Sequence, residues 1–387
     1  MTRTVQKYGG SSVATADHIK RVAGLVAKRA QAGEQVVVVV SAMGDTTDDL
    51  LALAAEITQK GRAREMDMLL STGEIVSSAL LTLALHELGV EAVSLTGQQA
   101  GIRTDAAHAR ARIAAVRADR LERELAQGHV VIVAGFQGVS EDLELTTLGR
   151  GGSDTTAVAL AAALEADTCE IFTDVAGIYT ADPRICPEAR PLRDIGYEEM
   201  LELATTGARV MHARAVEVGA LYDVDILVRS TFDPEAPGTI IRRETIMEQG
   251  NKVRAIAHEN RVGKVTVRGV PDQPGIAARI FEPLATAGVS VDTIVQNASV
   301  ERTTDLTFTV APGDIERAVE VIQHLMPEIH AKEVVTADDL GTVSVVGTGM
   351  ASAPGYAARM FRALFDEGVN VEMISTGDIR ITCVVAA

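Results

Sequence analysis

Residues 7–12 read KYGGSS: Lys7, Tyr8, Gly9, Gly10, Ser11 and Ser12, between a short β-prone stretch and a helical pattern. A glycine pair after a strand lets the backbone approach a ligand and turn its N–H groups toward an anion, and a helix amino terminus behind it adds a favourable dipole. Lys7 would add a point charge. The spacing is neither GxxxxGK[ST] nor GxGxxG. Taken alone, it serves equally well as a tight turn with a solvated lysine. A second glycine-rich helix entry, LGRGGSDTT at 148–156, precedes the alanine-rich stretch 157–166. Ser153 or Asp154 would make a sound N-cap there. A cap needs one such residue and does not call for Arg150 with Gly149, Gly151 and Gly152 beside it. Two such turns imply two anionic groups.

These turns need a scaffold, and residues 2–229 alternate short apolar runs with longer amphipathic ones. Strand-length runs fall at 36–41, 92–95, 130–135, 170–173 and 225–228, and helix-like runs at 16–30, 47–59, 64–87, 106–126, 155–166 and 198–205. Five consecutive valines at 36–40 suit a strand covered on both faces, so a mostly parallel sheet between helix layers is expected. Such sheets bind ligands at the carboxyl ends of their strands, where KYGGSS, the segment from Ser41 to Asp45, and Thr173 with Asp174 all fall.

The chain has 387 residues, enough for two or three domains, with a soluble composition of 47% hydrophobic and 23% charged residues. A net charge of -17 opposes attachment to nucleic acid or anionic membranes, so any anion site must be built locally. No basic segment followed by an apolar one opens the chain, and the longest aliphatic run is too short to span a bilayer, so a cytoplasmic protein is expected. Cys169, Cys186 and Cys383 show no CxxC spacing and read as reduced packing thiols. Beyond the turn-rich stretch 232–238 the pattern repeats: VGKVTVRGV (262–270) returns as LGTVSVVGT (340–348), QPGIAARIF (273–281) as APGYAARMF (353–361), and AGVSVD (287–292) as EGVNVE (367–372). Each copy reads strand, Pro-Gly turn, helix, Gly, strand, which makes two small α+β modules.

KYGGSS, SAMG (41–44), STGE (71–74), LGRGGSDTT and FTDVAGIYTADPR (172–184), in this order, resemble the aspartate kinases of the amino-acid kinase superfamily; the repeated Pro-Gly modules resemble tandem ACT domains. The resemblance covers essentially the whole chain. It implies a three-layer α/β kinase domain over 1–230, a linker over 231–252, a discontinuous ferredoxin-like ACT module over 253–262 plus 340–387, and a second inserted at 263–339. It further implies transfer of the γ-phosphoryl of ATP, its Mg2+ carried by the nucleotide, to the side-chain carboxylate of L-aspartate. A carboxylate is already anionic at neutral pH and needs positioning and charge neutralisation rather than a general base. By resemblance Lys7 and Asp154 are catalytic. Lys7, Tyr8, Gly9, Gly10, Ser11, Ser41, Thr173, Asp174, Tyr179, Asp182, Arg184 and Arg209 line the ATP site, and Thr47, Glu74, Arg150, Gly151, Gly152 and Ser153 hold aspartate. Arg209 replaces the family's usual lysine, and His212 reads as structural.

The resemblance also implies side-by-side ACT pairing into a homodimer or larger oligomer, with lysine, threonine or both as inhibitors near Asp272, Gly275, Ala277, Gln296 and Asn370. The family usually has one more helix after the point where this sequence stops, and Met247 lies where some relatives start a separate regulatory subunit. Two other functions compete: a kinase of the same fold for acetylglutamate, glutamate or a nucleotide monophosphate, and a catalytically silent amino-acid sensor. Glu74 with Arg150 favours an amino-acid acceptor, the tandem ACT modules point to aspartate, and the Lys7, Arg150 and Asp154 set favours catalysis.

Overall fold

The structure is a computed structural model that describes residues 2–208, 210–243, 252–297, 303–350 and 353–387. Arg209 and Met247 lie outside them. The chain forms two compact units, Met1–Gly250 and Asn251–Ala387.

The first unit runs β1 (Arg3–Tyr8), α1 (Ala16–Gln31), β2 (Gln35–Val40), α2 (Thr46–Ile57), α3 (Ala63–Leu70), α4 (Thr72–Glu87), β3 (Ala92–Leu95), β4 (Ile102–Thr104), β5 (Ile113–Val116), α5 (Asp119–Ala126) and β6 (Val130–Ala134). It continues β7 (Gln137–Val139), β8 (Leu145–Thr147), α6 (Gly152–Ala163), β9 (Thr168–Thr173), β10 (Asp194–Gly196), α7 (Tyr197–Thr205), α8 (Ala213–Tyr222), β11 (Ile226–Ser230) and β12 (Thr239–Arg242). Eight strands form one sheet in the order β10-β12-β11-β9-β1-β2-β6-β3, parallel except between β11 and β12. The valines at 36–40 are buried throughout. Val36, Val38 and Val40 pack with Ile19, Val22 and Val26 of α1 and Leu81 and Leu85 of α4. Val5, Val37 and Val39 are equally buried on the other face, beside α6. Helices on both faces leave the strand ends as the place where polar groups can meet solvent.

Three expectations change. Residues 106–126 are not one helix, because β5 pairs with β4 inside a small four-stranded sheet, β5-β4-β7-β8, and only α5 is helical. The alanine-rich stretch is compatible with a helix, but a turn in which Asp105 Oδ1 accepts from the amides of Ala107 and Arg112, followed by strand pairing, overrides that weak preference. The run 64–87 is broken at Ser71, whose carbonyl accepts from Gln137 Nε2. By length and composition Ala63–Glu87 could cross a membrane, but it is split there and buries Asp67 and Glu74 together with Leu81 and Leu85, as a core segment does. Third, Ser153 and Asp154 do not cap α6. The N-cap is Gly151, with φ +68°, and both residues sit in the first turn.

Beneath β1 lies a buried polar cluster. Glu170 accepts from Gln6 Nε2 at 3.0 Å, from Arg29 at 2.6 Å and from Arg229 at 3.4 Å. Tyr8 donates to Gln6 Oε1 at 3.2 Å and stacks on Phe172, ring centroids 4.6 Å apart. Tyr8, expected to line the ATP site, therefore has its side chain in the core, and only its backbone can face a ligand.

The second unit runs β13 (Ala255–Pro271), α9 (Ile276–Thr286), β14 (Val291–Gln296), β15 (Thr303–Val310), α10 (Ile315–Ile329), β16 (Glu333–Val346), α11 (Tyr356–Asp366), β17 (Val371–Thr376) and β18 (Arg380–Ala386). They form one antiparallel sheet, β14-β15-β13-β16-β18-β17. Its first half packs α9 and α10 over Val265, Val267, Leu306 and Phe308, whereas the other half packs α11 over Ile381, Cys383 and Val385.

Glu170→Ala leaves Gln6, Arg29 and Arg229 without their shared acceptor. Breaking a buried ion pair costs about 3 kcal/mol or more, so calorimetry should show the first unit melting well below wild type. An unchanged melting temperature would show that the cluster carries no stability.

Candidate functional site

Side chains on β1 alternate between faces. Gln6 and Tyr8 point toward α1, and Lys7 points the other way, toward α6. Its Nζ lies 2.6 Å from Asp154 Oδ1 between side chains 12% and 10% exposed. The contact is an ion pair by distance without the alignment of a hydrogen bond. A Cβ on Gly9 would come within 3.4 Å of that ammonium, and one on Gly10 within 3.0 Å of the Ala42 carbonyl. Close approach thus calls for glycine at position 10, whereas a Cβ at position 9 would make ordinary contact.

The structure changes the expected source of dipole. Behind the glycines is a single 3-10 turn, Gly10–Val13, and α1 starts only at Ala16, capped by Thr15 accepting from the His18 amide. The helix that opens on the second glycine turn is α6. Its entry needs glycine because a Cβ on Gly151 would fall 2.2 Å from the His212 ring, in addition to the positive φ. Gly135, at the end of β6, makes room for Ser153 in the same way.

Hydrogen bonds stitch the loops together along the carboxyl edge of the sheet. Gly9 donates to the Phe172 carbonyl, Gly44 to that of Gly10, Ser41 to that of Tyr8, and Thr231 to that of Thr173. Ser12 and Thr231 share a hydroxyl contact of 2.7 Å. Glu74, in the first turn of α4, is 3% exposed. Its Oε1 accepts from the Ala42 amide at 3.2 Å and its Oε2 has no partner. Burial pushes its pKa up to about 7, against the partial offset of two backbone N–H groups. Thr47 is half-buried in the first turn of α2, whereas Arg150 is exposed and has no partner among the described residues.

After β9, Thr173 donates to Asp174 at 2.9 Å, Tyr179 bridges to Pro191, and Arg184 forks onto Asp182 at 2.7 Å. Thr239 fastens this loop, accepting from the Ile178 amide and donating to the Leu192 carbonyl. In the second unit Asp272 follows β13, Gly275 caps α9 with φ +87°, Ala277 lies in that helix's first turn and Gln296 ends β14. Asn370 precedes β17, donating to Glu372 at 3.4 Å; β17 and β14 stand at opposite ends of the strand order.

Sequence reasoning missed three side chains. Asp67, fully buried on α3, and His108 hold the segment ahead of LGRGGSDTT, and Arg214 of α8 donates to the Leu148 and Ala111 carbonyls. None carries a motif, and only a buried aspartate on an apolar helix could have signalled a role. His212 packs against Gly151, accepts from the Arg214 amide, and has its pKa lowered chiefly by burial.

An ammonium-carboxylate pair, two glycine turns and a buried carboxylate with a spare oxygen can hold two anions beside an ammonium-bearing ligand. Residues 2–230 match the amino acid kinase family, and 265–325 with 343–387 match the ACT domain. An aspartokinase of Mycolicibacterium smegmatis is 50% identical over 390 residues, covering all of this chain and 92% of that protein. Among solved structures, E. coli aspartokinase III in complex with aspartate and ADP superposes with a TM-score of 0.83 at 28% identity, covering 99% of this chain and 96% of that one. The same enzyme in complex with lysine and aspartate gives 0.75 over the same shares.

The raised pKa of Glu74 has a definite sign. The folded state keeps this proton between pH about 4.5 and about 7 while the unfolded chain has lost it, so stability from this group is greatest below about 4.5 and falls as pH rises through 7. The full penalty is about 3 kcal/mol. Glu74→Gln should therefore melt above wild type at pH 8 without ligand, and the gap should close at pH 5. A pH-independent difference would rule this out.

Proposed function

Because this chain belongs to the amino acid kinase family and is an aspartate kinase, we propose that it transfers the γ-phosphoryl group of MgATP to the side-chain carboxylate of L-aspartate, giving 4-phospho-L-aspartate and ADP. A carboxylate oxygen attacks the γ-phosphorus in line, the bond to the β,γ-bridging oxygen breaks, and ADP departs with the electron pair. No proton moves, which fits a site whose central pair is an ammonium and a carboxylate. The metal arrives with the nucleotide.

Lys7 neutralises the transferring phosphoryl group while Asp154 keeps its ammonium aimed. The Gly10 amide, with Ser11 and the Ser41 hydroxyl, meets phosphate oxygens, while Gly9, whose amide donates to the Phe172 carbonyl, and Tyr8, whose carbonyl accepts from Ser41, shape the turn. Thr173, Asp174, Tyr179 and Asp182 line the nucleotide, and Arg184 exchanges Asp182 for phosphate; Arg209 belongs to the same set. Glu74 pairs its spare oxygen with the α-ammonium, Arg150 forks onto a substrate carboxylate, and Thr47, Ser153, Gly151 and Gly152 complete the pocket. The observation that carries this reading is the buried Lys7–Asp154 pair at the meeting point of both glycine turns.

Product of this kind starts the aspartate family of amino acids, and the second unit is read as its feedback sensor, binding lysine, threonine or both near Asp272, Gly275, Ala277, Gln296 and Asn370. Support comes from the lysine complex of E. coli aspartokinase III. The enzyme works in the cytoplasm, as a homodimer or larger assembly paired through its ACT modules.

Purified chain given MgATP and L-aspartate should form an acyl phosphate that hydroxylamine traps as the hydroxamate, and no hydroxamate would overturn the assignment. Lys7→Ala should lower kcat roughly a hundredfold or more, the loss expected for one preorganised donor. Arg150→Lys should raise the aspartate KM about tenfold or more with the ATP KM nearly unchanged. Glu74 must shed its proton to meet an ammonium, so the aspartate KM should climb about tenfold per pH unit below 7. Glu74→Gln should abolish that slope, and a slope that survived would clear Glu74 of the role.

A further inference from the structure

Arg150 stands on a turn with left-handed glycines on either side, Gly149 at φ +77° and Gly151 at φ +68°. On its far side the turn is held by α6, with Gly152 donating to the Gly149 carbonyl and Gly151 against His212; on its near side its position depends on what holds the chain just before it. Two side chains from outside the turn do this. Asp67 of α3 is fully buried and accepts four hydrogen bonds, from Thr147 Oγ1 at 2.5 Å, from His108 Nδ1 at 2.7 Å and from the Ala109 amide at 3.0 and 3.1 Å. Arg214 of α8 spreads its fork over two carbonyls, those of Leu148 and, at 2.8 Å, Ala111. The two anchored segments are also bonded to each other, Ala111 N donating to Thr147 O at 2.9 Å.

The segment opposite is strained to make this fit. Ala109 has φ +67°, a left-handed conformation that an alanine adopts only at a cost, and its amide is the one bonded to both Asp67 oxygens. Its carbonyl would lie 3.1 Å from a Cβ at Gly149, so the strained alanine backs directly onto the glycine next to Arg150. Strain of this kind persists where the surroundings over-determine a conformation, as they do at functional sites. A buried carboxylate with three donors and a guanidinium on two carbonyls make a rigid frame at residues 147–148, immediately ahead of the turn.

We infer that Asp67 and Arg214 are positioning residues for substrate binding: acting through the 105–111 segment and β8, they fix where the Arg150 turn stands and hence where its fork meets the substrate carboxylate. His108 and Thr147 belong to the same device as donors to Asp67. The inference rests on the aspartate-binding reading of Arg150 and adds to it residues that touch no substrate.

Steady-state kinetics on the full chain test this. Asp67→Asn keeps the size but removes acceptor capacity, and Arg214→Lys cannot span two carbonyls. Each should raise the aspartate KM at least fivefold while the ATP KM stays within twofold. A merely structural loss would lower the active fraction without separating the two. The decisive comparison is with Arg150→Lys. If Asp67 acts through Arg150, the double variant should be hardly worse in aspartate KM than Arg150→Lys alone; multiplied effects would overturn the inference. Should Asp67→Asn fail to fold, His108 offers a milder route: His108→Asn keeps a donor near the Nδ1 position and should restore what His108→Leu loses. Equal aspartate KM for His108→Leu and wild type would also overturn it. A wild-type chain that makes no acyl phosphate sinks the function itself, whereas an active wild type with indifferent variants sinks only this inference.

Discussion

An ammonium held against a carboxylate between a strand and a helix is the feature around which the first unit is organised. Phosphoryl transfer to a carboxylate asks one site to accept two anions, in a chain whose net charge of -17 repels both at long range. Positive charge must therefore stand in place before the ligands arrive, and Lys7 does, 2.6 Å from Asp154. The pairing has a consequence for how attraction is distributed. Asp154 cancels part of the lysine's field, so under the proposed function the remaining pull is assigned to the Gly10 amide and to Arg150 and Arg184. Those arginines differ in state: Arg150 is exposed and has no partner among the described residues, whereas Arg184 already carries Asp182.

Placing Lys7 is a matter of register. In a strand a slip of one residue sends every side chain to the opposite face, so β1 must be locked if its lysine is to meet α6. The lock is on the other face. Gln6 and Tyr8 are committed to Glu170 and Phe172 of β9, with Arg29 and Arg229 satisfying the remaining acceptor sites of Glu170. A polar cluster of this kind adds little net stability compared with a well-packed apolar one, and its value is directional. Shifting β1 by one residue would turn the ammonium to the α1 face, away from Asp154, and break the Gln6 bond to Glu170. Catalytic geometry on one face of the strand is specified by buried chemistry on the other.

Much of this was legible in the sequence, for particular reasons. The valines of 36–40 can only be a strand covered twice, and KYGGSS and LGRGGSDTT advertise themselves because glycine is retained where a Cβ would collide with Ala42 or His212. What stayed hidden depends on distant partners. Tyr8 reads as a site residue until Phe172 is seen to stack on it. Ser153 and Asp154 read as caps because capping is local, yet the left-handed Gly151 takes that place and frees both side chains for the site. Residues 106–126 have helical composition, and only their pairing with β4 shows otherwise. Asp67 and Arg214 bond to backbone atoms far along the chain, and no spacing records such contacts.

The second unit shows the reverse case, a pattern plain in sequence whose physical division is not. The two Pro-Gly repeats suggest two modules, one discontinuous over 253–262 plus 340–387 and one inserted at 263–339. Hydrogen bonding ignores those boundaries, since β13 runs unbroken from Ala255 to Pro271 and β16 from Glu333 to Val346, each serving both halves. The division survives only as irregularities in their pairing, between Glu259 and Val262 and again between Val262 and Lys264. Such bulges bend and twist a sheet. Val295 of β14 packs against a cluster made by Met373 of β17 with Val262, Leu340 and Val384, so one apolar surface joins residues of both halves. Two modules that have their central strands in common cannot shift independently, so any ligand that alters the chain at the Asp272 end of β13 does so on a strand whose other end is built into the second half.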